Sequence, residues 1–211
     1  MTVSLALYED DVLPATPLAW EAGVRGVFVR RGQIRVTTGD GDTDLEAGQC
    51  RLFTQAVALS GDAQLWTFEL SARPVSEHGS SDDPRKILAH DIALNATKPL
   101  VLRCDHVAFP PGAETPRHGH KAAGIRRLVS GRLIAEIGHE TRRIDAGEAW
   151  YESGDDPVVG RSIAPDSAFV RAMVLPVHLH GKPTFIAWSA QEAAKPRGTQ
   201  RTEFFDTVVR L

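Results

Sequence analysis

The sequence predicts an all-β protein, and three observations carry that expectation. Short runs of β-branched and aromatic residues recur along the 211-residue chain, as in "GVFVRRGQIRV", "AQLWTFEL", "VLRCDHVAF", "IRRLVSGRLIAEIG", "AWYE" and "AFVRAMVLP". Turn signals separate them every ~8 to 12 residues, the spacing of a sandwich or barrel. The chain also repeats itself weakly at a constant offset of 99 residues. Thr16-Pro17 falls on Thr115-Pro116, Gly32, Gly39 and Gly48 fall on Gly131, Gly138 and Gly147, and "LEAG" falls on "IDAG". Glycine and proline answer to a backbone angle or a missing donor, so an ungapped series of such matches implies the same succession of turns twice. Each half is therefore read as one small barrel.

The elements follow in order. "GDGDTD" (39–44) lacks the ligand spacing and closing Glu of a calcium loop and reads as a hairpin turn. "SARPVSEHGSSDDPRK" (71–86), rich in Ser, Pro and charge, reads as a linker or loop. "ILAHDIAL" is a short helix or an edge strand. After Pro183 come a strand, a helical turn around "SAQEAA", a loop and a last strand. The expected organisation is an N-terminal barrel over 1–85, a C-terminal barrel over 86–188, and a tail over 189–211 packed on a barrel or a partner chain.

Composition narrows the function. A hydrophobic content of 42 % supports a buried core, and a net charge of −3 with no basic run argues against a nucleic-acid partner. No apolar run approaches the ~18 residues of a membrane helix. The N-terminus has neither a basic segment nor a small-residue cleavage site, so a cytoplasmic protein is expected. Cys50 and Cys104 lack CxxC spacing and read as buried thiols. No nucleotide-binding loop and no Ser or Cys nucleophile motif is present.

The chemistry-bearing stretch is "RHGH", 117–120, behind the "PPGAETP" turn. On a strand, residues i and i+2 share a face, so His118 and His120 aim together while Gly119 aims away. Two neutral imidazoles suit Zn, Fe, Mn, Ni or Cu, and three or four ligands are usual. Counting by twos from Gly124 places Arg126 and Leu128 on one face, where a buried guanidinium needs an anionic partner. Arg126 then binds a substrate carboxylate, or pairs with Glu152 or Asp156.

Through "PPGAETPRHGHKAAGIRRLVSGRL" and the looser "IDAGEAWYESGDDPVVGRS", the chain resembles the cupins, specifically two-domain bicupins, over roughly residues 10 to 185. The resemblance implies two β-jelly-roll barrels and, by analogy, a homodimer. Metal-binding cupins usually add a Glu about four residues past the His pair and a third His from the second motif. Here those registers hold Gly124 and Pro157 or Val158. Glu152 is the preferred replacement, as third metal ligand or general base, with His106 and then Asp155 or Asp156 after it. At the offset of 99, His118 and His120 map to Ala19 and Glu21, so the site is expected only in the C-terminal barrel.

Two functions follow as expectations. One is a metal-dependent small-molecule enzyme of dioxygenase, isomerase or decarboxylase type, with a divalent transition metal on His118, His120 and Glu152 or His106. Glu152 and Arg126 are its candidate catalytic residues, and Arg126 orients an anionic ligand. The other is a non-catalytic binding or sensing module. "HLH" at 178–180 reads as a loop feature and His139 as an exposed turn residue.

Overall fold

The computed structural model describes residues 2–75 and 83–211. Part of the stretch read as a linker, 76–82, lies outside the described residues. The apolar runs all become strands, and the contacts divide the chain into two units, one reaching Leu102 and including Val208–Leu211, the other Arg103–Thr207.

The first unit contains β1 (Val3–Val12), β2 (Leu18–Trp20), β3 (Val24–Thr38), β4 (Gly41–Glu46), β5 (Cys50–Phe53), β6 (Val57–Ser71) and β7 (Lys86–Ile92). They form one antiparallel sheet ordered β4-β3-β6-β1-β7, with β2 on β6 and β5 on β3. The "GDGDTD" stretch makes the β3–β4 hairpin, and "ILAHDIAL" supplies edge strand β7. Because β7 pairs with β1, residues 86–92 belong to this unit and not to the C-terminal one. β3 slips register between Val29 and Arg31, which bends it and lets its two arms pair with β5 and β4 in turn. Val27, Val29 and Ile34 of β3, Phe53 of β5 and Leu59 of β6 pack into one apolar core. Each such side chain contributes ~1.5–3 kcal/mol when fully buried.

The second unit is built from β8 (Leu100–Phe109) from Arg103 on, β9 (His118–His120), β10 (Ala123–Ser130), β11 (Arg132–Ile137), β12 (Glu140–Asp145), β13 (Ala149–Glu152), β14 (Val158–Ser162), β15 (Ser167–Pro176), β16 (Phe185–Ala187), the short helix α1 (Ala190–Ala193) and β17 (Gln200–Val209) up to Thr207. They make two five-stranded sheets, β13-β10-β15-β8-β17 and β12-β11-β14-β9-β16. Side chains from both sheets, including Phe109, Leu128, Leu133, Ile144 and Phe169, form a common core. The tail thus splits: its last strand, β17, adds to β8 at a sheet edge.

The repeat is visible in the elements. Moved by 99 positions, β3 covers β10 and β11 together, β4 covers β12, and β5 covers β13, end for end. Gly32 and Gly131 hold the same left-handed angle, φ 76° and 74°. A Cβ on Gly131 would lie 2.4 Å from Ser167 Oγ and 2.5 Å from Ser167 Cα. Gly131→Ala is therefore expected to cost about 1–3 kcal/mol, from the unfavourable φ and the clash together. Urea denaturation checks this, and an unchanged midpoint would show that the turn can relax.

Candidate small-molecule site

β9 is three residues long, hydrogen-bonded between β14 and β16, and it buries both imidazoles at 7 % exposure. His118 Nδ1 lies 2.8 Å from Pro116 O. A carbonyl can only accept, so Nδ1 carries the proton and Nε2 keeps the lone pair. Phe185 stacks on the His118 ring, and His120 meets it edge-on. Burial pushes the His118 pKa down, and Arg126 and Arg171 add to that. His120 is held well below 6.5 by burial first, then by Arg126, Arg171 and His118. Both rings are neutral at pH 7.

Arg126, in the middle of β10, is completely buried. The alternation read from Gly124 holds: Arg126 points inward and lines the cavity. Its Nη1 donates to Gly124 O at 2.6 Å, and its Nη2 lies 2.6 Å from Glu152 Oε2. Burial lowers its pKa to about 10 against the opposing pull of Glu152. The guanidinium stays charged.

Glu152 ends β13, 5 % exposed, and pairs in register with Gly124. Cross-strand partners project to the same face. The carboxylate thus comes from the strand beside the position where metal-binding cupins carry theirs. Gly124 itself has no room for one, since a Cβ there would sit 2.3 Å from Ala172 O. Trp150 Nε1 donates to Glu152 Oε1 at 2.9 Å, and His120 Nε2 lies 3.6 Å from Oε2.

Other expected participants stand elsewhere. Along β8, Arg103, Val107 and Phe109 line the cavity, so odd-numbered residues face it and His106 faces away. His106 is thereby removed from the ligand set by the period of the strand. Asp156 accepts from Ser153 Oγ in an exposed loop. His178 and His180 are exposed beside a single 3-10 turn, His180 against Asp206 O.

The sequence reading missed Arg171 and Asp105. Arg171 sits opposite Arg126 in the β10–β15 register and makes a two-pronged pair with buried Asp105, at 2.7 and 3.1 Å. Arg201 of β17 donates to the same carboxylate at 3.1 Å. The signal was present: a charge in the middle of "AFVRAMV" or "VLRCDHV" has to find a partner inside.

The resulting cavity is about 500 Å³. Its lining carries six cations, Arg103, Arg126, Arg171, Lys182, Arg197 and Arg201, and two carboxylates, Glu152 and Glu203. Asp105 and Asp206 stand behind Arg171 and Arg103, which leaves an excess of two positive charges. Val107, Phe109, Trp150 and Phe169 provide an apolar wall. The corresponding interior of the first unit is filled: Arg126 maps to Val27 and Glu152 to Phe53, both in its apolar core.

A divalent transition metal asks for three or four donors. His118 and His120 have the right chemistry for two, being neutral and buried. Glu152 does not complete the set, because Trp150 holds one oxygen and the Arg126 cation lies against the other. Among the described residues no three His, Cys, Asp or Glu side chains are arranged to hold an ion. As they stand, the residues do not fit a metal.

No protein-family model matches the chain, and no curated protein matches it. Solved structures do. An oxalate decarboxylase formate complex from Lactobacillus farciminis aligns with TM-score 0.61 at 13 % identity, covering 92 % of this chain and 82 % of its own. A salicylate 1,2-dioxygenase from Pseudaminobacter salicylatoxidans gives 0.58 at 10 %, covering 81 % and 70 %. A cupin 2 conserved barrel domain protein from Leptotrichia buccalis gives 0.54 at 13 %, covering 82 % and 84 %. These likenesses define the class: a β protein of the cupin fold. Among the described residues no helix is long and apolar enough to cross a membrane.

Proposed function

We propose that the chain is a cupin-type small-molecule enzyme acting on an organic anion, with its site inside the second unit. The observation that carries this is Arg126. A fully buried guanidinium whose Nε has no partner, and whose Nη2 meets only Glu152 Oε2 at 2.6 Å, stands in a cavity with excess positive charge. Such a group is a ready receptor for a carboxylate. Beside it, Glu152 Oε2 and His120 Nε2, 3.6 Å apart, can take a proton from the held ligand or return one to it. Phe185 and the Arg197 guanidinium, 4.0 Å above its ring, flank the cavity.

The test is calorimetric titration of the full chain with small carboxylates and with their neutral amides. Carboxylates are expected to bind and amides not. Arg126→Lys, which keeps the charge and loses the fork, is expected to weaken binding by about tenfold or more. Equal binding of acids and amides would overturn the reading.

A second reading is favoured by one observation, the short His120–Glu152 separation beside two neutral imidazoles. In it, Glu152 would first have to leave Arg126, and His118, His120 and Glu152 would then be the residues to hold a divalent transition metal. Elemental analysis of untagged protein separates the two. About one transition metal per chain that vanishes in His118→Ala/His120→Ala supports the second reading, and a metal-free wild type that binds carboxylates supports the metal-free anion site of the first.

A further inference from the structure

The inner end of the cavity has a specific hydrogen-bond deficit. Arg126 Nε lacks an acceptor, while Nη2 and Glu152 Oε2, 2.6 Å apart, form an ion pair and have no hydrogen-bond partner beyond it. Both groups are buried, so Nε has no water to serve it either. Leaving buried polar atoms unpaired costs about 1–3 kcal/mol each. A ligand that supplies an acceptor to Arg126 and a donor to Glu152 at adjacent positions meets both needs.

A plain carboxylate meets only one. It satisfies Arg126 and brings its own negative charge against Glu152 Oε2, with nothing to offer that oxygen. A carboxylate with a hydroxyl on the next carbon offers the oxygen an O–H. An ammonium in that place also donates, but it adds a cation beside Arg126 and Arg171, where positive charge is already in excess. The neutral donor is therefore preferred. Trp150, whose indole fixes Glu152 Oε1, and Phe169, 5.3 Å from it ring to ring, present apolar surface at the same end.

We infer that the ligand of this site is a 2-hydroxy carboxylic acid with an apolar substituent, its carboxylate on Arg126, its hydroxyl on Glu152 and its apolar part on the Trp150–Phe169 wall. This rests on the organic-anion reading above. The ligand's carboxylate replaces Glu152 as the partner of Arg126, so binding frees Glu152 Oε2 to receive the hydroxyl. The site thus selects for the hydroxyl as well as the charge.

Three matched probes test it by titration calorimetry on the full chain: mandelate, phenylacetate and phenylglycine, which share a phenyl group and a carboxylate and differ only at the next carbon. Mandelate is expected to bind about tenfold or more tighter than phenylacetate, with phenylglycine the weakest. In Glu152→Gln the charge conflict is gone, so phenylacetate is expected to gain and the ratio to fall below about threefold. Equal affinity of mandelate and phenylacetate for the wild type overturns the inference and leaves the anion reading standing. No binding by any of the three overturns the anion reading as well. Should Glu152→Gln fail to fold, the wild-type ratio decides alone.

Discussion

Replacing Arg126 by Met is expected to destabilise the second unit by about 3–5 kcal/mol, the cost of stranding a buried partner charge. Glu152, 5 % exposed, would keep the Trp150 indole as its hydrogen-bond partner and the neutral His120 ring 3.6 Å away, with no cation to balance it. The double variant Arg126→Met/Glu152→Met is expected to recover most of that loss, because exchanging a buried ion pair for apolar side chains of similar size is often neutral. The recovery, more than the single loss, identifies the cause. If Arg126→Met simply opened a cavity, adding Glu152→Met would not restore stability. Urea denaturation followed by far-ultraviolet circular dichroism and tryptophan fluorescence provides the comparison. A single-variant loss below about 1 kcal/mol would mean that water reaches the pair.

How far the sequence discloses this arrangement depends on the range of each interaction. The turns are local, so the 99-residue offset matched the turns that bound β3 to β5 with those that bound β10 to β13. Alternation is local as well, and counting by twos from Gly124 placed Arg126 inside. Applied to β8, the same count would have excluded His106, which shares a face with Cys104 and not with Arg103. What no local pattern contains is pairing across the chain. Asp105 and Arg201 are 96 residues apart, and nothing in "RCDHV" or "TQRTE" announces that these two meet. The charge of Arg171 inside an apolar run signals that a partner exists without saying which one. Glu152 shows the limit most clearly. The sequence gives reason to look for a carboxylate near the histidines, but only the Gly124–Glu152 register shows which strand delivers it, and only the Arg126 contact shows that it is already engaged.

The two site histidines are expected to make the protein acid-sensitive well above the range where carboxylates titrate. Burial and the neighbouring Arg126 and Arg171 keep both rings neutral in the folded chain, against the attraction of Glu152 at His118. In the unfolded chain each takes up a proton near the ordinary histidine pKa of about 6.5. The stabilisation is therefore complete above that pH and is lost as pH falls below it, continuing down to the lower folded-state pKa. Each ring contributes about 1.4 kcal/mol per pH unit in that window, and the two together about 2.7. His90 and His106 are shifted the same way by burial, so the measurement has to be a difference. Urea midpoints of the wild type and of His118→Gln/His120→Gln, taken between pH 8 and pH 5, provide it. The wild type is expected to lose stability more steeply on the acid side, and the gap between the curves to open below about pH 6.5. Parallel curves would mean that the folded chain accepts these protons. The His120–Glu152 contact at 3.6 Å would then be an ion pair in its own right, and the proton assigned to Glu152 and His120 in the chemistry proposed for the site would already be in place before any ligand arrives.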